Sequence, residues 1–523
     1  MDGNRFGACA RPATLVIVGA GFSGTALALA LLRDPPAGTS TIVLVERSGR
    51  FGRGLAYAGH WPQALLNVPA GRMSVDERQP RDFCDYLARR GLPAHESVFA
   101  PRAVYGDYLE ARLKEAAATT PARVRLLQLC DTVVDAVEDR TQRSWNVRLA
   151  GGESLAADAV VLALGHQPPA GLPALRALAG SGLYVADPWR HVTGTPDGGT
   201  AAPARVLLVG TGLTMADTAC ALMTSPQPPR EIVAVSRRGL LSRPRPPCVS
   251  APPRTAWQRT LAPDASASPD PSTALDLRAL RLETTARGLV AALRRHVAAA
   301  EADGTGWRAV IAAVRDLVPD LWHRLDEAER RRFLRHVRPY WDVHRHQLPP
   351  AVGEQVLRQV AEGVLCVRAA RIVAARIQGD RALVTLRARG RSTTVEEAFD
   401  RVVNCSGPDD DLARSPTPLV EALLRSGLLA QCATGIGVRL DAAGRPLGRS
   451  GEPAPGLYYL GPWARARDLE ATAVQELRAQ AHALAALLRS RLTDRAATPL
   501  SRAPVRDAAQ ARSRVRPAPG SSA

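Results

Sequence analysis

Apolar residues fall in short unbroken runs, and two of these runs lead straight into glycine. Leu15-Val16-Ile17-Val18 precedes Gly19-Ala20-Gly21-Phe22-Ser23-Gly24, and Val206-Leu207-Leu208-Val209 precedes Gly210-Thr211-Gly212-Leu213-Thr214-Met215-Ala216. A run of four branched apolar residues suits a buried strand, and the apolar stretches that follow, through Leu32 and Leu222, suit helices. After each helix comes another apolar run, Thr41 to Val45 and Ile232 to Val235. Each block therefore predicts strand, glycine turn, helix and strand, the βαβ unit of a parallel sheet.

Beyond these units the pattern changes to alternation. A helix near Tyr108 to Ala118 precedes an alternating stretch from Val124 to Leu149 and a buried strand from Ala159 to Leu164, which ends in Gly165-His166. In the second block a helix leads to Val364 to Val367, alternating strands run from Ile372 to Leu386, and Val402-Val403 ends in Asn404-Cys405-Ser406-Gly407-Pro408. The same order in both halves reads as an internal repeat. The expected fold class is α/β, with two Rossmann-like dinucleotide-binding domains and a helical insertion. Ser242 to Pro253 and Pro263 to Pro271 are rich in proline and serine and predict loops; an Arg-rich helical insertion follows from roughly Leu275 to Arg335.

The glycine turns carry the clearest chemistry. Gly19 permits the tight bend, Gly21 lets the backbone approach a pyrophosphate, and Gly24 lets the helix pack on its strand. The helix start, with Phe22 and Ser23, offers free N–H groups and a positive dipole end to that pyrophosphate. Glu46, ending the second strand, is placed to accept hydrogen bonds from an adenosine ribose; it lies beyond the usual spacing of about 20 residues, and the loop from Asp34 to Ser40 takes up the excess. The second turn, with Gly210, Gly212, Leu213 and Thr214, has Met215 at the third small position, so its helix is expected to sit differently on its strand. Where a carboxylate would stand it has Ser236-Arg237-Arg238, and two guanidiniums suit the 2′-phosphate of NADPH. In so Arg-rich a chain a solvated face is the lesser alternative for these arginines.

Composition narrows the field. A chain of 523 residues is long enough for two or three domains. Its formal charge of +18 suggests nucleic acid until one sees that Lys114 is the only lysine and that the arginines are dispersed without interleaved aromatics. No nucleic-acid partner is expected. Nor is a membrane span, since the longest apolar helical run, Thr25 to Leu32, is far too short. Eight cysteines lie scattered without a C-x-x-C pair, which predicts reduced thiols in a cytoplasmic protein and speaks against a dithiol relay. His336, Trp341, Asp342, His344 and His346 cluster in the insertion; the arginines around them disfavour a metal, and no metal site is expected. Aromatics and arginines at a domain junction could instead hold an anionic substrate, which makes Trp341 and His344 candidates, and a plain surface helix turn explains them about as well.

The chain resembles the FAD-NAD(P)-binding flavoproteins related to flavin-containing monooxygenases and the ornithine and lysine N-hydroxylases. The resemblance rests on Gly19 to Gly24, Gly54-Leu55-Ala56-Tyr57, Leu66-Asn67-Val68-Pro69-Ala70-Gly71-Arg72-Met73-Ser74, Pro101-Arg102 with Tyr105-Gly106, and Leu164-Gly165-His166. It continues through Asp187-Pro188-Trp189, Gly210 to Asp217, Tyr340 to Arg345, Gly461-Pro462 and Glu470-Ala471-Thr472-Ala473-Val474. It implies FAD in a first domain over 1–200 and NADPH in a second over 203–405, with the insertion at about 255–350. A return segment over 406–495 would complete the FAD domain, and 496–523 would be a disordered basic tail. Arg53, Asn67 and Arg72 would then lie near the isoalloxazine, Asn67 and Arg72 as catalytic candidates beside Trp341 and His344. Gly165, Gly461, Glu470 and Thr472 would border the cofactor. A final helix, from about Leu469 to Leu488, would point its N-terminus at the flavin. The activity implied is a monooxygenase using FAD, NADPH and O2, through a flavin hydroperoxide, on a small nucleophilic substrate such as an amine or amino acid. An NADPH-driven reductase without oxygen insertion and a non-catalytic nucleotide-binding regulator remain alternatives, and the oligomeric state is open.

Overall fold

The computed structural model describes residues 12–59, 61, 63–191, 204–246 and 278–497. The loop expected at 263–271, most of that at 242–253, the insertion before 278 and the tail from 498 lie outside the described residues.

The apolar runs of the first block become strands of one parallel sheet. Strand β1 (Ala13–Val18), helix α1 (Phe22–Arg33) and strand β2 (Ser40–Val45) form the first βαβ unit, with Ala13 opposite Ser40 and Val18 opposite Val45. Helices α2 (Asp82–Arg89) and α3 (Arg102–Thr119) lead to β3 (Val124–Leu129). Here the alternating stretch divides. β3 joins the main sheet beside β2, whereas β4 (Val133–Asp139), β5 (Ser144–Leu149) and β6 (Ser154–Ala157) form a separate antiparallel sheet. Alternation explains the separation: β5 buries Trp145, Val147 and Leu149 and exposes Asn146 and Arg148, as a one-faced strand must. Strand β7 (Ala159–Leu162), buried throughout, returns to the main sheet.

The second sheet begins earlier than the sequence suggested. Strand β8 (Tyr184–Val185) already pairs with its far edge, so the second domain takes a strand from before the expected boundary at 200–203. After the short helix α4 (Pro188–His191) come β9 (Arg205–Val209), α5 (Leu213–Met223) and β10 (Glu231–Ser236). The described part of the insertion is helical, with α6 (Arg278–Leu282), α7 (Ala286–Ala302), α8 (Trp307–Arg315), α9 (Val318–Arg324) and α10 (Glu327–His336). It runs past Arg335, through α11 (Arg338–Arg345) to α12 (Pro350–Ala361). Strand β11 (Leu365–Gln378) merges two expected elements: its first residues pair parallel with β10, and beyond Ala370 it pairs antiparallel with β12 (Arg381–Ala388). With β13 (Val395–Phe399) and β14 (Arg401–Asn404) the sheet order is β13-β12-β11-β10-β9-β14-β8.

The remaining chain goes back to the first sheet. After α13 (Pro418–Arg425), strand β15 (Leu457–Tyr459) pairs with β7 and completes the order β15-β7-β1-β2-β3. The last helix, α14 (Val474–Ala497), starts later than Leu469 because the amides of Thr472 and Ala473 both turn back to Glu470 O, at 2.6 and 3.3 Å. That geometry is a tight turn rather than an α-helical start. α14 lays Leu477, Ala481, Leu484, Leu488 and Leu492 into the same core as α1, which is buried from Phe22 to Leu32. This helical spacing of apolar residues fixes α1 over the sheet and with it the first glycine turn. Among the described residues no helix is long and apolar enough to cross a membrane.

Candidate functional site

Each glycine turn abuts the end of a neighbouring strand. Gly19 has φ +103°, and a Cβ there would lie 2.3 Å from Ala163 O, just after β7; Gly210 has φ +117°, and its Cβ would lie 2.3 Å from Cys405 O, just after β14. Only glycine fits both constraints. A Cβ on Gly24 would fall 2.0 Å from Gly19 O, so α1 rests directly on the turn it follows. Gly212 is different: with φ −89° and no heavy atom within 4 Å of an added Cβ, the fold does not demand glycine there. Neither Gly21 nor Gly212 caps its helix with a side chain, and the amides at both helix starts face outward with the positive end of the dipole. These features fit the phosphates of two dinucleotides.

The partners of the turns are as unequal as their sequences. Glu46 stands across the first turn, Oε2 accepting from Ala20 N at 2.9 Å and Oε1 from Ser48 N and Oγ at 3.0 and 2.9 Å. At the second, Met215 occupies the place of Gly24 with its side chain fully buried. Arg237 is exposed and has no ion-pair or hydrogen-bond partner among the described residues. Arg238 is otherwise engaged. It stacks over the Tyr340 ring at 4.9 Å and donates to Arg335 O and His336 O at 3.0 and 3.2 Å, latching the end of α10 to the second sheet.

The two blocks meet through charge and aromatic contact. Arg102 at the start of α3 pairs with the buried Asp217 of α5 at 3.3 Å and lies over Trp189, which stacks on Trp61 at 4.5 Å. Burial raises the Asp217 carboxyl above its usual range, against the pull of Arg102. Arg53 is taken up by Glu110 and Asp107 of α3, with Nη2 2.8 Å from Glu110 Oε2. Asn67 is half-buried, and no hydrogen bond to its side chain occurs among the described residues. Arg72 is reached by water yet feels the charges of Arg315, Asp316, Arg345 and Glu476, as a side chain lining a cleft does.

Trp341 and Glu470 come together, although 129 positions separate them: Trp341 Nε1 donates to Glu470 Oε1 at 2.9 Å, and Arg345 Nε lies 3.0 Å from Oε2. Burial alone would raise the Glu470 carboxyl, but Arg345 and His346 hold it below the usual range. His344 does not join them; its Nδ1 is held by Tyr340 O at 2.8 Å and its ring packs edge-on against Trp307. Thr472 lies within the turn at Glu470, Gly461 comes two residues after β15, and Gly165 follows β7, the strand beside β15. Sequence reading passed over Arg245, Arg315, Arg465 and Glu476, and named Arg345 only as the end of the stretch Tyr340 to Arg345. Behind Trp341 and Leu469 a small apolar cavity lies among the insertion helices, walled by Leu289, Leu293, Val314 and Trp322. Among the described residues no three His, Cys, Asp or Glu side chains are grouped to hold a metal ion.

Residues 16–167 match the family model described as FAD-NAD(P)-binding. The L-lysine 6-monooxygenase of Pseudomonas syringae superposes with a TM-score of 0.61 at 20% identity, over 93% of this chain and 100% of that one. The fold is that of the ornithine and lysine hydroxylases. An ornithine N-hydroxylase from Kutzneria sp. 744, in a structure with reduced FAD, NADP+ and L-ornithine, gives 0.60 at 18% identity, covering 92% of this chain and 100% of that one. The cadaverine monooxygenase of Erwinia amylovora gives 0.57 at 11%, over 95% and 98%. No curated protein sequence matches.

Among the described cysteines, Cys84, Cys220 and Cys405 are buried. Burial pushes the thiols of Cys220 and Cys405 up to about 12, so neither is a thiolate near neutral pH. Brief alkylation of the native protein at pH 8 is expected to label the exposed Cys130 and leave these two unmodified, read by peptide mass spectrometry. Rapid labelling of either would reopen the case for thiol chemistry.

Proposed function

We propose that this chain is an FAD-dependent oxidoreductase that takes electrons from NADPH and acts as a monooxygenase on a small nucleophilic substrate, an amine or amino acid. The observation that carries the reading is the pair of glycine turns with unlike partners, Glu46 at one and Arg237 at the other, in a fold shared with ornithine, lysine and cadaverine oxygenases. Bound FAD would accept a hydride from NADPH and hand electrons to O2, one oxygen atom going to the substrate and the other to water.

The side chains supply position and dryness. The amides from Gly19 to Gly24 receive the FAD pyrophosphate, and Glu46, already oriented by Ala20 N, accepts from the adenosine ribose. Gly165, Gly461 and Thr472 line the crevice outside the carboxyl ends of β7 and β15, where open α/β sheets bind ligands. The second turn holds the NADPH pyrophosphate at Gly212, Leu213 and Thr214, and Arg237 meets the 2′-phosphate. Asn67 and Arg72 border the reacting face from the first domain, and Trp341 closes it from the insertion.

Purified protein loaded with FAD tests this directly. NADPH-dependent O2 uptake with little peroxide release, stimulated by an amine or amino acid, is expected. NADPH oxidation that reduces a dye but consumes no O2 would make the chain a reductase, and failure to bind FAD would end the reading. Arg237→Ala is expected to weaken NADPH binding about tenfold, the loss of one charge-assisted contact, and to leave NADH binding unchanged. Equal losses for both nucleotides would remove Arg237 from the phosphate site. Arg238→Ala, which cuts the latch to α10, should instead lower the melting temperature.

A further inference from the structure

Four arginines from four separate segments lie within electrostatic reach of one another, and one of them, Arg345, pairs with Glu470. Arg345 ends α11, and the segment 243–246 runs alongside: Arg243 N donates to Val343 O and Arg245 N to Leu348 O, both at 2.9 Å. These bonds hold the Arg245 segment along the end of α11, and the Arg345 charge acts on Arg245. Arg315 ends α8 and pairs with Glu476 in the first turn of α14, Nε to Oε1 at 3.1 Å. Arg72 comes from the short turn Ala70–Arg72, which is tied to the same helix where Arg478 donates to Ser74 O at 2.7 Å.

This assembly is short of negative charge. Arg245 is brought down to about 10, first by burial and then by the charges of Arg72, Arg345 and Arg315, so the four guanidiniums act on one another. Asp316, Glu470 and Glu476 are the carboxylates that face them, and Glu470 and Glu476 are already engaged by Arg345 and Arg315. Neither Arg72 nor Arg245 has an acidic group within ion-pair distance among the described residues. Nε of Arg245 and Nη2 of Arg345 are buried without hydrogen-bond partners, while Nε of Arg345 faces Glu470 Oε2 at 3.0 Å. Buried like charges with idle donors destabilise a fold, and an incoming anion reverses the sign of that interaction.

We propose that Arg72, Arg245, Arg315 and Arg345 bind the carboxylate of an organic-acid substrate at the junction of the two nucleotide-binding domains and the helical insertion. Planar guanidinium forks match a carboxylate two bonds at a time. The phosphates of NADPH are the other source of anionic oxygen, but they have the amides around Gly212 and Arg237 at the far turn. The inference rests on the proposed function only in taking the ligand for a substrate; anion binding is measured without turnover.

The test is calorimetric titration of malonate and of hexanoate, and separately of NADP+, into the FAD-loaded protein and its Arg245→Met and Arg72→Gln variants. Saturable carboxylate binding, weakened about tenfold or more in both variants with NADP+ affinity unchanged, is expected. Arg245→Met should also melt at a higher temperature than the parent in anion-free buffer, because a buried like charge is gone, and this confirms that it folds. Carboxylates that bind parent and variants alike, or bind none of them, overturn the proposal. So does a loss of NADP+ binding in their place, which would give the cluster to the dinucleotide. Should the chain take up no FAD, the proposed function fails, and the same titrations on the cofactor-free protein still decide the arginine site.

Discussion

Gly24→Ala is expected to weaken FAD binding by about 100-fold or more, close to 3 kcal/mol, while Gly212→Ala leaves FAD binding untouched. In the first case the new Cβ would lie 2.0 Å from Gly19 O and 3.3 Å from Ile17 Cγ2, so α1 must lift off the turn whose amides hold the pyrophosphate. Overpacking of this kind also costs about 1–3 kcal/mol of stability. In the second case nothing lies within 4 Å of the new methyl, so the fold is unaffected and only a ligand at the second turn would feel it. The pair is read by flavin content after dialysis, NADPH affinity and melting temperature. Normal flavin content in Gly24→Ala would show that the pyrophosphate does not rest on this turn. Loss of flavin in Gly212→Ala would show that the two sites had been assigned in the wrong order.

Breaking the pair between Arg345 and Glu470 should be the most destabilising single change in the junction. Arg345 and Glu470 side chains are 11% and 5% exposed, so Arg345→Leu strands a carboxylate in the interior at a cost of about 3–5 kcal/mol. Glu470→Gln keeps an oxygen for Trp341 Nε1 and removes the charge, so the double variant should recover most of that loss. Chemical denaturation of the parent, both single variants and the double variant measures the coupling. If the double variant is no more stable than Arg345→Leu alone, the loss comes from packing and the charge pair contributes little.

What the sequence made legible was local. Leu15 to Val18 and Val206 to Val209 are buried on both faces, so their apolar runs announced central strands, and the glycines after them report backbone constraints set within a few residues. The alternation from Val124 onward marked strands correctly but hid that β3 and β4 belong to different sheets, since pairing partners leave no mark in a single strand. β8 was missed because two residues are too few to form a pattern. The site was less legible for a related reason. Arg237 and Arg238 look alike in sequence, and only the position of α10 separates the free guanidinium from the one used as a latch. Nothing near Arg245 or Arg315 distinguishes them from the other arginines, because their meaning arises when distant segments meet. Arg53 shows the converse: it stands in the expected segment, but Glu110 and Asp107 are one helix away and claim it.

The chain crosses between its two sheets on adjacent tracks. Pro169 is bridged to Pro408, Asp409 N reaches Pro168 O at 3.2 Å, and Asn404 Nδ2 reaches Ala170 O at 3.0 Å, so the outgoing and returning segments form one ribbon. Away from that ribbon the insertion grips the return segment again, through Trp322 Nε1 on Ala466 O at 3.2 Å, Trp341 on Glu470 and Arg331 on Ala433 O. Ribbon, second sheet, helical bundle and return segment thus make a closed mechanical loop, which cannot swing open unless one of its joints parts. The spacing between the two glycine turns is therefore tied to these few hydrogen-bonded joints.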